Sequence, residues 1–282
     1  MNPLSPISRR VAFKSTVFGI LAIPVSNVLF AEKLIFPSER EIAPDNSHRY
    51  PAITESIVSE VVGVSHFNLD RLKELVEPRP ELARAVWDWG LGDWESALGA
   101  ASHVGRKDIA EYLMLKGARP DIFTYAMLGA FETVKAMIEI TPGIQKISGP
   151  HGISLLQHAK NGNADNEIKT DERSKLITYL EELGNADGTK FLPMSEEENK
   201  KYLGDYKYGN NDHEGFSVKQ NMRKFITLGK LGKNGGSLYQ TSENTFMYNG
   251  APSVEVSFIW NNGLVEKLIV KEPGFSVTAI KV

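Results

Sequence analysis

Three tryptophans, Trp87, Trp89 and Trp94, fall within eight residues of the segment WDWGLGDWE, and Asp93 stands beside the last of them. Aromatic side chains bury a large area at a small loss of side-chain entropy, so they are common anchors of protein contacts. The alternative interpretation is that the tryptophans fill a gap in the core. The segment therefore indicates either a contact surface for a partner or a local packing device.

Histidines and carboxylates elsewhere in the chain do not have the spacing of a known metal motif. The pattern HExxH is absent, and a turn and a helix start separate His151 from His158. No serine–histidine–aspartate set can be assembled either. The sequence thus predicts no metal site, no cofactor and no catalytic residues, and it favours a protein that is not an enzyme.

The elements that position these residues are best seen in SALGAASHVGRKDIAEYLMLKGARPD, residues 96–121. Small residues fill the first helix, Gly105 makes a turn, an apolar face follows, and Gly117 ends the second helix in a left-handed conformation. Similar segments surround Gly129 and Gly162, and a weaker one contains Phe67. Such helix pairs have two faces to bury, so the pattern predicts a stack.

Residues 96–121 resemble an ankyrin repeat, and their neighbours extend the resemblance to about four repeats over residues 54–188. The chain also resembles a group of exported bacterial ankyrin proteins that share WDWGxGDWE and GPHG segments. The resemblance implies an α-helical solenoid that acts as a protein–protein interaction module. The residues expected to contact the partner are Trp87, Trp89, Asp93, Trp94, His103, Arg119, Asp121, Tyr125 and His151.

Residues 195–282 have a different pattern, typical of an antiparallel β domain. A capping box at Ser195–Glu198 precedes short β-rich runs, Val254, Val256 and Phe258 alternate with more polar residues, and Asn262-Gly263 predicts a hairpin turn. Seven or eight strands predict a small sandwich or barrel. The predicted fold class is therefore α+β, with a helical solenoid followed by this β domain.

The β domain suggests a second function, the transport or sensing of a small apolar molecule in a barrel mouth. Such a cavity would be lined by residues such as Phe216, Phe225, Tyr239 and Phe246. A third and less favoured hypothesis is a hydrolase, which requires polar groups that converge between the two domains.

The N-terminus has the layout of an export signal, with Arg9, Arg10 and Lys14 before an apolar run. Its segment SRRVAFK resembles the twin-arginine (Tat) motif. We expect residues 1–31 to be a Tat-like signal and residues 32–53 to be a linker. The resemblance implies export of the folded chain to the periplasm or beyond, with membrane attachment only if the signal is retained.

Charge and composition narrow the class of partner. A formal charge of −3 and a pI near 6.1 give no basic surface for nucleic acid. The chain contains no cysteine, which excludes disulfides and thiolate-bound metals. The predicted partner is therefore another protein.

Overall fold

The computed structural model describes residues 52–162, 171–188, 191–192, 194–221, 224–248 and 250–282. The predicted signal segment, and all of the predicted linker before residue 52, lie outside these residues. Residues Ile53–Val282 form one compact unit, in which a helical region precedes a β-barrel. In this part of the chain, no helix is both long enough and apolar enough to cross a membrane.

The helical region consists of short helices interrupted by turns. Its α-helices are α1 (Glu55–Val64), α2 (Leu69–Val76), α3 (Ala97–His103), α4 (Lys107–Leu115), α5 (Ile122–Leu128), α6 (Phe131–Ile140), α7 (Leu155–Asn161) and α8 (Asp171–Leu183). Three 3-10 turns (Pro80–Arg84, Ile144–Lys146 and Pro150–Gly152) and a hairpin of β1 (Val86–Asp88) and β2 (Trp94–Ser96) lie between them. A further helix, α9 (Glu196–Tyr202), leads into the barrel.

These helices do not form the ankyrin solenoid that the sequence predicts over residues 54–188. Their lengths range from seven residues in α3 to thirteen in α8. Among the described connections, only the one before α3 contains a β-hairpin, whereas two 3-10 turns separate α6 from α7. Units that differ this much are not the equivalent repeats of a solenoid, so the predicted fold class is wrong.

The small residues of α3, which suggested the repeat, have another physical cause. All seven residues of this helix are buried, because α1, α5, the hairpin and the Pro150–Gly152 turn pack around it. A Cβ atom added at Gly99 would lie 3.2 Å from Cγ of Pro150. A helix that is covered on every side accepts small residues whether or not its neighbours repeat.

The C-terminal region is a closed antiparallel barrel of eight strands, which decides between the two predicted architectures and excludes the sandwich. The strands follow one another around the barrel, and β10 pairs with β3 to close it. They are β3 (Gly204–Lys207), β4 (Gly215–Gln220), β5 (Ile226–Lys230), β6 (Gly236–Ser242), β7 (Thr245–Tyr248), β8 (Ala251–Asn261), β9 (Leu264–Glu272) and β10 (Phe275–Lys281).

Local sequence signals in this region are confirmed. Asn262 and Gly263 have φ angles of 50° and 79° and form the tight turn between β8 and β9. The capping box of Ser195 and Glu198 begins α9, as the sequence predicts. The barrel therefore follows from turn chemistry and from the alternation of apolar residues.

Side chains fill the barrel with a packed apolar core. Phe246, Tyr206 and Leu268 are fully buried in it. Tyr202 of α9 packs edge-to-face on Phe246 and Phe258, with ring centroids 5.2 and 4.8 Å apart. The residues suggested for a barrel-mouth cavity are thus divided, because Phe246 belongs to the core while Phe225 and Tyr239 line a pocket against the helical region.

Candidate metal centre

Three imidazoles and one carboxylate meet where the β1–β2 hairpin packs against the helices. His66 lies in the turn after α1, His103 ends α3, His151 lies in the Pro150–Gly152 turn, and Glu95 is the central residue of β2. One potential ligand atom from each residue lies within 4.8 Å of every other. These four residues are called the His3Glu cluster below.

The pleat of the hairpin turns Glu95 inward. Trp87 pairs with Glu95, and Asp88 pairs with Trp94. Because successive side chains of a strand point to opposite faces, Trp87 and Glu95 share one face and Trp94 lies on the other. Trp87 packs against the helical core and Glu95 is fully buried, whereas Trp94 is 61% exposed.

Two of the histidines are oriented by contacts at Nδ1. Nδ1 of His66 lies 3.0 Å from the carbonyl oxygen of Gly63, and Nδ1 of His151 lies 2.8 Å from Oδ2 of Asp93. The backbone N–H of His151, a residue with a φ of 58°, also donates to Asp93 Oδ1 at 3.0 Å. Contacts of this kind hold Nδ1 as the protonated nitrogen and aim Nε2 at the cluster, as in many metal sites.

The Nε2 atoms surround the carboxylate of Glu95. His103 and His151 place Nε2 at 2.9 and 3.2 Å from Oε1, and His66 places Nε2 at 3.5 Å from Oε2. The Nε2 atoms of His66 and His103 are 3.0 Å apart. Ligands bound at about 2.1 Å to one ion are themselves about 3.0 to 3.4 Å apart at octahedral or tetrahedral angles, so the shorter separations suit a metal and the widest, within 4.8 Å, would close on binding.

Hydrogen bonding does not fully account for the cluster. Oε2 of Glu95 accepts a hydrogen bond from Nε1 of Trp89 at 2.6 Å. In contrast, the buried Oε1 of Glu95 accepts no aligned hydrogen bond, although two imidazole nitrogens lie close to it, and Nδ1 of His103 is also without a partner. These poorly aligned contacts satisfy the buried carboxylate only in part, and a cation placed among the nitrogens would satisfy it.

Without a bound ion, the charges of the cluster are balanced by protons. Burial raises the pKa of Glu95, but His103 and His151 lower it more, so it lies well below its ordinary value. Burial lowers the pKa of His151, but Asp93 and Glu95 outweigh it and raise the pKa to about 10. Burial also lowers the pKa of His103, against the effect of Glu95. His151 is therefore the imidazole of the cluster that carries a proton most readily, and it lies between the carboxylates of Asp93 and Glu95.

The His3Glu cluster lies at the floor of a pocket of about 440 Å³ between the helical region and the barrel. Its three imidazoles face the pocket, while Glu95 lies behind them. The remaining lining residues on the helical side are Trp89, Asp93 and Ile153, and those on the barrel side are Asn221, Phe225, Asn234, Gly235, Gly236, Ser237 and Tyr239. A ligand in this pocket would therefore reach an ion held by the cluster.

The nine residues predicted to contact a partner do not lie on one surface. Four of them, Trp89, Asp93, His103 and His151, line the pocket.

The other five are distributed over the helical region. Trp87 and Tyr125 pack against apolar cores, and Trp94 and Arg119 are exposed. Asp121 caps α5 by accepting a hydrogen bond from the N–H of Thr124 at 2.9 Å. These five residues do not belong to the pocket.

His66 and Glu95 are not among the residues that the sequence pattern predicts for a site. The one available signal for Glu95 was its strand register opposite Trp87, which places a charged residue on the buried face. His66 has no comparable signal, because it lies in an ordinary turn between two helices. No family model matches the chain, and the curated proteins include no match to it.

Proposed function

We propose that the protein binds one divalent first-row transition-metal ion through Nε2 of His66, His103 and His151 and through the carboxylate of Glu95. The observation that carries this proposal is the convergence of three imidazole Nε2 atoms on the buried carboxylate of Glu95, with one potential ligand atom of each residue within 4.8 Å of every other. Metal ligation is the simplest arrangement that satisfies all of these groups at once.

The chemistry of the ligand set favours particular ions. Imidazole suits Zn²⁺, Fe²⁺, Ni²⁺ and Cu²⁺, whereas Ca²⁺ and Mg²⁺ take mainly oxygen ligands. Three imidazoles with one carboxylate therefore favour the first group. Zn²⁺ is the best first probe because it has no redox chemistry and no geometric preference of its own.

Residues around the ligands support the same proposal. Asp93 is buried and accepts from both the side chain and the backbone of His151, while Trp89 donates to Glu95. Hydrogen-bond partners of metal ligands fix ring orientation, and their loss typically weakens metal binding by about 10- to 100-fold. Asp93 is in this sense a positioning residue.

A metal ion at the floor of a pocket supplies a defined chemistry: it polarises a bound oxygen and lowers the pKa of bound water. Metal-assisted hydrolysis of a small molecule is therefore the reaction class that we propose. This is the reaction class of the hydrolase hypothesis, but the four proposed ligands all come from the helical region, and the barrel contributes only the facing wall.

Zn²⁺ binding tests the proposal directly. The chain is purified without a histidine tag, stripped with a chelator and titrated with Zn²⁺ by calorimetry. We expect one ion per chain. Glu95→Gln and His66→Ala each remove a ligand and should weaken Zn²⁺ binding by more than about 100-fold. Asp93→Asn changes only a hydrogen-bond partner of a ligand and should weaken it by less than about 100-fold.

The matched control is His213→Ala, since His213 is exposed in the loop after β3. This variant should bind Zn²⁺ like the wild type, and circular dichroism should show that every variant is folded. Binding that is absent from the folded wild type, or that His213→Ala abolishes as well, would refute the proposed site.

Protein binding is a second candidate function, and one observation favours it. Trp94 and Val86 are exposed apolar side chains on the same face of the hairpin, opposite the face that carries Glu95. Trp94→Ala should weaken capture of a partner protein and leave Zn²⁺ binding intact. Phe275→Ala, a change at another exposed aromatic, serves as the control. Equal capture of a partner by the wild type, Trp94→Ala and Phe275→Ala would argue against this role.

We further propose export through a Tat-type pathway, supported by the basic and apolar pattern of residues 1–31. This pathway transports folded proteins, which suits a chain that acquires its metal before export. Replacing Arg9 and Arg10 with lysine should retain the protein in the cytoplasm. Unchanged fractionation of this variant would contradict the proposal.

A further inference from the structure

Two aromatic side chains of the barrel face the metal cluster across the pocket. Phe225 is 42% exposed although its neighbour Ile226 is buried in the barrel core. The ring of Tyr239 lies 5.8 Å from that of Phe225, at an angle of 59°. Large aromatic surface left open to a concave site is typical of a ligand contact rather than of a solvated surface.

Tyr239 is supported from another side. Phe191 stacks on it, with ring centroids 4.4 Å apart and an angle of 21° between the planes. A ring held in this way loses little freedom when a ligand packs on it, which favours binding through pre-organisation. Trp89 extends the aromatic lining from the helical side and is fixed by its hydrogen bond to Glu95.

The loop between β5 and β6 forms another part of the barrel-side wall and is held close to it. A Cβ atom at Gly235 would lie within 2.4 Å of Cα of Gly229, so only glycine allows this approach. The N–H of Gly236 also donates to the hydroxyl of Tyr248 at 3.1 Å. This part of the pocket is therefore built in advance of any ligand.

Charge and size restrict the ligand. Among the described residues that line the pocket, no lysine or arginine is present, and the polar wall groups are Asn221, Asn234 and Ser237. A divalent ion would be balanced by Glu95 and Asp93. The volume of about 440 Å³ lies within the range of small-molecule sites. An uncharged or singly charged small molecule suits these conditions.

We infer that the pocket binds a small aromatic compound with a pair of oxygen donors, which reach the metal while the ring packs against Phe225 and Tyr239. This inference rests on the proposed metal site. The inferred ligand has two parts. Its pair of oxygen atoms chelates the ion, and its flat apolar ring packs against the barrel wall.

Two hydroxamates with the same chelating head test the inference. The protein is loaded with Co²⁺, whose visible absorption reports changes in coordination, and is titrated with benzohydroxamate, acetohydroxamate or inorganic phosphate. Benzohydroxamate should bind at least about tenfold more tightly than acetohydroxamate, since ring packing of this kind contributes roughly a factor of ten.

The preference should depend on the barrel wall and not on the ion. Phe225→Leu should reduce the ratio of the two affinities to about twofold while leaving the Co²⁺ absorption unchanged. Phe275→Leu, at an exposed ring of β10 that does not line the pocket, should keep the full ratio.

The outcomes separate the ligand class from the metal site. A normal Co²⁺ spectrum with equal hydroxamate affinities, or with phosphate binding most tightly, would overturn the aromatic ligand and leave the metal site standing. If Phe225→Leu keeps the full ratio of benzohydroxamate to acetohydroxamate affinity, the barrel wall does not contribute to ring binding. Failure of the folded wild type to bind Co²⁺ in a calorimetric titration would refute the metal site, and the ligand with it.

Discussion

The helical region and the barrel bury very different groups. The barrel core is aromatic and aliphatic, and Phe246, Tyr206 and Leu268 are typical of it. The helical region buries Glu95, Asp93, His103 and His158 in addition to its apolar clusters. The first arrangement stabilises a fold directly, whereas the second buries charges whose desolvation opposes folding.

The two regions therefore contribute different parts of the pocket within one compact unit. The barrel provides the wall that carries Phe225 and Tyr239, and the helical region provides the floor with the His3Glu cluster. Sites held on rigid elements keep their geometry better than sites on loops. Here the floor residues come from turns and short elements, so they depend on each other for their order, and the proposed ion would strengthen it.

The largest expected effect concerns the barrel alone. Phe246→Ala should lower the free energy of unfolding by about 3 to 5 kcal/mol, because it removes a fully buried ring and leaves a cavity. Denaturant titration measures the loss. Phe275→Ala, at a ring that is 59% exposed, should change stability by about 0.5 kcal/mol or less. Similar losses in both variants would contradict the packed barrel core.

A pH effect should come from the helical region. Burial lowers the pKa of His158 to about 4, and His103, Asp121 and Glu95 also act on its charge. His158 therefore takes up a proton near pH 6.5 in the unfolded chain but only near pH 4 in the native chain. The contribution of neutral His158 to the free energy of unfolding is complete above pH 6.5 and is lost as the pH decreases towards 4. The loss attributable to His158 approaches about 3 kcal/mol.

The measurement for His158 is a comparison of two unfolding curves across this pH range. His158→Asn keeps a side-chain N–H for the carbonyl oxygen of Ser154, which lies 2.8 Å from Nδ1 of His158. The variant should show a flatter dependence on pH between 6.5 and 4 than the wild type. Parallel curves would show that His158 does not titrate as a buried neutral group.

Metal binding should stabilise the helical region by a slightly smaller amount. Free Zn²⁺ at about 100 times its dissociation constant should raise the free energy of unfolding by about 2.7 kcal/mol, because the ion binds only the native arrangement. Hydrogen exchange should show added protection around His66 and Glu95. Glu95→Gln should show neither effect, and a Zn²⁺-induced stabilisation of this variant would place the ion elsewhere.

Local signals in the sequence predicted much of the barrel. The alternation from Val254 to Phe258, the turn at Asn262-Gly263 and the capping box at Ser195 each depend on a few neighbouring residues. Closure of the sheet depends on β10 pairing with β3, which are about 70 residues apart, and no local pattern specifies it. The sequence therefore left sandwich and barrel undecided.

The helical region shows why a correct local pattern gave the wrong architecture. Small residues in α3 are required when helices stack as repeats, and equally when a hairpin and a turn cover the helix. The site was hidden for a related reason. Metal motifs are recognised by short spacing, but positions 66, 95, 103 and 151 converge only through the fold.

The smallest expected effect separates a cap from a contact. Asp121 was predicted to lie on a partner surface. In the structure, Oδ1 of Asp121 accepts hydrogen bonds from the N–H and from the hydroxyl of Thr124 at the start of α5. Asp121→Ala should therefore lower the free energy of unfolding by about 1 kcal/mol. Asp121→Asn, which keeps the accepting oxygen, should lower it by only a few tenths. Zn²⁺ affinity should be the same in both variants, because α5 carries none of the four ligands. A lower Zn²⁺ affinity in Asp121→Ala than in Asp121→Asn would mean that the start of α5 holds the floor of the pocket in place.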